Sequence, residues 1–275
     1  MLTEGVHSVV DSTNQVLLMW GRRQAKKPPD KYHPFGYGRE LYFWSFVVAV
    51  LVFALGAGVS IYEGFLHIQH PEPAVTPWIA YTVLLVAFIA EAWSTLEAFG
   101  DFNKAKGEFS WFQAVRRSKD PPAFIVLLEN GAAMAGIIAA ALGLGVSEWT
   151  GNPFYDGAAS VVIGVILGGT AMVLAYESKG LLIGEAADPR LVKSLRDLAC
   201  EKEGVVGVGH ILTVHSSPDQ ITVMMNVDFR DDLLAVEVER IVCEVEKESR
   251  ERWPQVRRLF VRPMQGAAEQ RKHRT

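Results

Sequence analysis

The sequence predicts an α-helical transmembrane bundle followed by a small ferredoxin-like α+β domain of order αββαβ. Three observations carry this. Four apolar runs, at 41–61, 77–96, 122–146 and 154–176, each approach or exceed the ~20 residues a helix needs to cross ~30 Å of hydrocarbon. After Gly184 charged residues become dense, and no later stretch is apolar enough to span. The segment after Pro189 then switches between helical and strand periodicity. The whole chain is 49% hydrophobic and only 21% charged, as a bundle with a soluble appendage requires. We therefore expect a membrane domain over 1–183, a soluble domain over 184–265 and a disordered tail over 266–275.

The opening stretch, 2–20, is less apolar than the four runs but long enough to span, which makes five spans. The loops between them alternate in charge. Arg22, Arg23, Lys26, Lys27, Lys31 and Arg39 follow the first span, and Lys104, Lys106, Arg116, Arg117 and Lys119 follow the third. The loops around His67–Pro73 and Glu148–Asn152 carry no Lys or Arg. The positive-inside rule then puts the basic loops and the C-terminal domain in the cytoplasm. Five spans with a cytoplasmic C-terminus put Met1 outside, so one earlier span is expected to be missing, through a late start codon or a truncated polypeptide.

In the soluble domain, Asp188 before Pro189 reads as a helix start, and Leu191, Leu195 and Leu198 recur at helical spacing to about Glu203. Val208, His210, Leu212 and Val214 alternate with Gly209, Ile211 and Thr213, which predicts a strand with the first set on one face. Ser216–Asp219 is a turn. Ile221, Val223, Met225, Val227 and Phe229 alternate with Thr222, Met224, Asn226 and Asp228, a second strand. Val238, Ile241, Val242 and Val245 fit an amphipathic helix that Pro254 stops, and Arg258–Arg262 reads as the last strand. Cys200 and Cys243 form no metal-binding pattern and are expected to be reduced and buried. His215, near a turn, is expected to be solvated, and His210 to be a satisfied sheet histidine.

Ionisable groups inside apolar segments are the main functional signal, because a charge at bilayer depth is costly unless it binds something. His7 and Asp11 stand four apart, so a helix stacks them on one face. Glu129 lies in another span. Imidazole with carboxylates is a ligand set for zinc and its neighbours, and the three residues predict a transmembrane site for a divalent metal. Asn14, one turn beyond Asp11, is read as a cross-helix hydrogen-bonding group or an auxiliary ligand. Glu91, deep in the run Ala87–Trp93, reads as a proton carrier or a structural partner. His33 and Pro34 read as shaping the start of the next helix. His67 and His70 fall on the outer side. No HExxH occurs, and an enzyme is not expected. The net charge of −4 says little about partners, and no nucleic acid is expected.

Several motifs resemble the cation diffusion facilitators, proton-coupled exporters of zinc and related metals. They are Glu4-Gly5-Val6-His7-Ser8-Val9-Val10-Asp11, His33-Pro34-Phe35-Gly36-Tyr37-Gly38-Arg39, Asn152-Pro153-Phe154-Tyr155-Asp156 and the αββαβ tail. Within the family the chain is similar to the branch containing the mitochondrial zinc exporter of animals, through Arg117-Ser118-Lys119-Asp120-Pro121, Leu127-Leu128-Glu129 and Thr150-Gly151-Asn152-Pro153.

The resemblance implies six spans in a complete member, the first being the one absent here. It also implies export of a divalent cation, zinc foremost with manganese, cobalt or cadmium open, against protons. His7 and Asp11 match the family's first ligand pair. The second pair does not match. Glu129 takes the histidine place and Ala133 the aspartate place, or a shifted alignment brings Glu129 nearer the aspartate. Asn130 is then a weaker oxygen ligand beside it. In the soluble domain only His210 matches a family zinc position. Asn226 and Arg262 stand where other ligands would be, so no zinc cluster is expected there. A homodimer, a bacterial inner membrane and no resident cofactor complete the expectation. A non-transporting scaffold or metal sensor is the alternative.

Overall fold

A computed structural model describes residues 2–70, 77–106 and 121–265, with the side chains of 2–11, 77, 101–102, 104–106 and 121–124 outside the description. Two compact units are present: Met1–Pro28 with Glu40–Lys179, and Pro29–Arg39 with Gly180–Thr275.

The first unit is helical: α1 (Leu2–Ala25), α2 (Glu40–Leu51), a π-helical turn (Val52–Ala57), α3 (Gly58–Gln69), α4 (Pro77–Lys106), α5 (Pro121–Thr150) and α6 (Phe154–Ile183). Among the described residues four stretches are long and apolar enough to cross a membrane: Glu40–Gln69, Trp78–Gly100, Ile125–Thr150 and Phe154–Ile183. They coincide with the four predicted runs. α1 does not reach that composition, although its 24 residues would extend about 36 Å. On α4, Leu85, Ile89, Trp93 and Leu96 form an exposed stripe at helical spacing. A bilayer gives such an apolar surface its cover.

Small residues let these helices approach. A Cβ added at Gly64 of α3 would stand 2.8 Å from Gly157 O and Val161 of α6, and one added at Gly164 would stand 3.0 Å from Ala57 O. Glycine at these positions permits backbone contact of the kind that drives association in lipid. Gly58 N–H bonds Phe53 O, five residues back, which is the π spacing. Ala57 of this turn is buried with Ala132 of α5 and Leu167 of α6.

In the second unit the predicted order appears in full: α7 (Pro189–Cys200), β1 (Val205–Ser217), β2 (Gln220–Phe229), α8 (Ala235–Arg252) and β3 (Val256–Pro263). Asp188 caps α7 by accepting from Arg190 N at 2.8 Å. Glu237 caps α8 by accepting from Leu234 N at 2.8 Å. The sheet runs β1-β2-β3, antiparallel then parallel. Leu191, Leu195 and Ala199 of α7, Ile241 and Val245 of α8, and Val223, Met225 and Val227 of β2 share one core. The Lys202 ammonium pairs with Glu248 and holds its carboxyl below the usual value.

Three expectations about this unit are corrected. Val208 pairs with Val227 and Ile211 with Met225, so β1 carries one extra residue there, a bulge. Because side chains alternate, the extra residue exchanges the faces. Ile211 packs on the core while Leu212 is 61% exposed and His210 is exposed. His215, opposite Ile221, is buried rather than solvated. Cys200 and Cys243 are free but exposed, because they fall on the outer faces of α7 and α8.

The segment Pro29–Arg39 folds around Asp30, whose carboxylate accepts from Tyr37 Oη at 2.6 Å and from the backbone N–H of His33 at 2.6 Å and of Tyr32 at 2.9 Å. These bonds, Tyr37's foremost, lower the Asp30 pKa. Arg258 of β3 donates to Pro34 O at 2.7 Å and lies over the Phe35 ring at 4.7 Å. A Cβ at Gly38 would meet Ser217 Cβ at 2.8 Å, so glycine permits the close seat. The His33 ring lies 4.2 Å from that of Tyr37, tilted by 37°.

Candidate metal site

Polar side chains meet in the first unit where α1, α4 and α5 carry their few hydrophilic residues. Asn14 of α1 is fully buried, and its Nδ2 donates to Glu129 Oε1 of α5 at 3.1 Å. A carboxylate oxygen only accepts, so the amide nitrogen must face Glu129 and Oδ1 must face away. That oxygen is buried and has no hydrogen-bond partner among the described residues. Leaving such an acceptor unmade costs about 1–3 kcal/mol.

Adjacent residues on a helix point about 100° apart, so Glu129 and Asn130 reach different neighbours. Glu129 is half-buried against α1, whereas Asn130 is buried and donates to Ser94 Oγ of α4 at 2.9 Å. One turn along, Thr95 Oγ1 donates to Glu91 O at 2.6 Å and approaches Met134 Sδ at 3.4 Å. Ala133 is buried one turn beyond Glu129. Near the other end of the helix pair, Tyr81 Oη of α4 donates to Glu148 Oε2 of α5 at 2.9 Å.

Positions 7 and 11 lie in α1, but the side chains of His7 and Asp11 lie outside the described residues. Among the described residues no three His, Cys, Asp or Glu side chains gather as a metal-binding group. The structure brings Glu129 to Asn14 and Asn130 to Ser94. Of these partners Ser94 was missed by sequence reasoning. Its signal was a place three residues after Glu91 in an apolar helix, where serine has little other use than a hydrogen bond. In the second unit Asn226 pairs with Arg262 across β2 and β3, on the sheet that carries His210.

Residues 1–183 match the cation efflux transmembrane domain model. The chain is 33% identical over 232 residues to the proton-coupled zinc antiporter SLC30A9, mitochondrial, of Xenopus laevis, covering 83% of this chain and 41% of that protein. It is 35% identical over 203 residues to metal tolerance protein C4 of Arabidopsis thaliana, covering 72% and 44%. The cation-efflux pump FieF of Yersinia enterocolitica is 24% identical over 255 residues, 92% of this chain and 79% of the pump. The chain thus spans about two fifths of the length of its vertebrate relative. With two thirds of its residues inside the family model and the apolar helices that model requires, this chain is an integral membrane protein of the cation efflux family, the cation diffusion facilitators, related to the mitochondrial zinc exporter branch.

Proposed function

We propose that the protein exports a divalent cation, zinc first among manganese, cobalt and cadmium, from the cytoplasm in exchange for protons. The observation that carries this reading is the Asn14–Glu129 hydrogen bond. Asn14, Leu18 and Gly21 form the buried stripe of α1. Helical periodicity continues that stripe back through positions 11 and 7. That spacing supports grouping positions 7 and 11 with Glu129. The names of the relatives, a proton-coupled zinc antiporter and a cation-efflux pump, support the same class of cargo.

In this reading His7, Asp11 and Glu129 strip water from the ion, with Asn130 as the weaker oxygen. Neutral imidazole and ionised carboxylates bind it. Protons from the far side compete for the same atoms, because metal affinity depends on deprotonated ligands. Metal out and proton in are then one exchange. The loop charges favour a cytoplasmic C-terminal unit; the compact form of the chain suits a bacterial inner membrane, and the C-terminal unit serves a homodimer. No resident cofactor is required.

The test is reconstitution into vesicles, with zinc, manganese, cobalt or cadmium outside and an imposed proton gradient. Metal-dependent uptake that collapses in Asp11→Ala is expected. Equal behaviour of wild type and Asp11→Ala for all four ions would leave the scaffold or sensor reading in its place.

A further inference from the structure

We propose that Asn14 is a specificity-determining residue of this site: its amide nitrogen holds Glu129, and its Oδ1 supplies a neutral oxygen ligand to the transported cation. The proposal rests on the transport reading for its cargo and adds to it a residue and a preference among ions.

Asn14 is fully buried and committed on one side only, through Nδ2 to Glu129 Oε1 at 3.1 Å. Its Oδ1 is buried and unpartnered among the described residues. Buried acceptors in folded proteins are nearly always satisfied, and a membrane interior offers little water to do it. The neighbouring buried amide, Asn130, spends its nitrogen on Ser94, away from α1. Asn14 is therefore the buried amide whose oxygen is uncommitted, and it stands one helical turn past position 11. An acceptor-only oxygen at that place suits a donor or a cation, and a cation is what the neighbouring ligand positions are built to attract.

The charge arithmetic agrees. Two carboxylates, Asp11 and Glu129, already neutralise a divalent ion. An amide oxygen adds a further ligand without adding charge. An amide carbonyl is also a hard donor, which favours manganese over cadmium relative to a site of imidazole and carboxylate alone.

The test uses the full chain with two readouts: uptake into vesicles, and direct binding measured by competition of manganese and of cadmium with a chromophoric chelator. Asn14→Leu removes both amide atoms at similar volume, and Asn14→Asp keeps an oxygen but cannot donate to Glu129. For Asn14→Leu we expect affinity for manganese to fall about ten-fold or more, with a smaller loss for cadmium, and KM to rise in parallel. For Asn14→Asp we expect manganese affinity to stay within about three-fold of wild type, because the oxygen ligand survives. Equal weakening of both ions in Asn14→Leu, with Asn14→Asp no better, would assign Asn14 to packing and overturn the proposal. Unchanged binding in Asn14→Leu would overturn it too. If Asn14→Leu does not fold, Asn14→Asp decides alone, a ten-fold loss of manganese affinity counting against the proposal. A wild type that moves and binds no divalent ion would defeat the transport reading together with this one, whereas an active wild type with an indifferent Asn14 defeats this one only.

Discussion

Asn14 and Glu129 are 115 positions apart in the chain, yet the amide of one donates to the carboxylate of the other at 3.1 Å. The bond ties the first helix to the fifth at a place where both carry buried polar groups. It helps to orient the Glu129 carboxylate toward α1. A ligand on a membrane helix is useful only when its rotamer is held, and this bond holds one.

Glu129→Gln keeps an oxygen that can still accept from Asn14, so the helix contact should survive while the charge is lost. Uptake by reconstituted vesicles should fall at least about ten-fold, with thermal unfolding of the detergent-solubilised protein little changed. A variant that transports like wild type would remove Glu129 from the ligand set.

Arg258 anchors the segment Pro29–Arg39 through Pro34 O and the Phe35 ring. A hydrogen bond and a cation–π contact together are worth about 1–2 kcal/mol. Arg258→Ala should therefore speed hydrogen exchange at the His33 and Tyr32 amides by roughly ten-fold, with β2 amides unaffected. Unchanged exchange in the loop would show that Asp30 alone holds it.

Asp30 has its pKa lowered by the hydrogen bonds it accepts, first from Tyr37 and then from the His33 backbone. The folded loop thus binds fewer protons than the open one. Its contribution is fully present above the ordinary carboxylate value of 3.8 and is lost as pH falls through the lower folded value. Exchange at the His33 amide should rise on acidification below pH 3.8, and Asp30→Asn should flatten that dependence. A profile in Asp30→Asn identical to wild type would assign the acid sensitivity elsewhere.

Gly157 and Gly169 lie on the same helix in opposite circumstances. A Cβ at Gly157 would stand 3.0 Å from Gly64 O, whereas one at Gly169 meets nothing within 4 Å. Gly157→Leu should cost about 1–3 kcal/mol or more by forcing α3 from α6. Gly169→Ala should be neutral or stabilise by up to about 1 kcal/mol through helix propensity. Thermal unfolding of the two variants side by side checks the contrast, and similar melting temperatures would contradict this account of the interface.

Properties set by neighbours in sequence were legible in the chain itself. The four apolar runs reported spans because length and composition alone decide whether a helix can cross hydrocarbon. Leu191, Leu195 and Leu198 reported α7, and Ile221 to Phe229 reported β2, because burial on one face imposes the period of the element. Asp188 and Pro189 marked a helix start through local backbone chemistry.

Properties set by distant partners needed the tertiary structure. The bulge between Val208 and Ile211 turns on how β1 registers against β2, so alternation read along β1 alone put Val208 and Leu212 on one face, and nearness to a turn put His215 in water. The grouping of Pro29–Arg39 with the C-terminal unit rests on Arg258, more than two hundred residues away. Asn14 read from the sequence as a cross-helix hydrogen-bonding group or an auxiliary ligand, with its partner unnamed. Only the approach of α5 gave its nitrogen a carboxylate and left its oxygen buried, because hydrogen-bond satisfaction is a property of the surrounding space and not of the residues beside it in the chain.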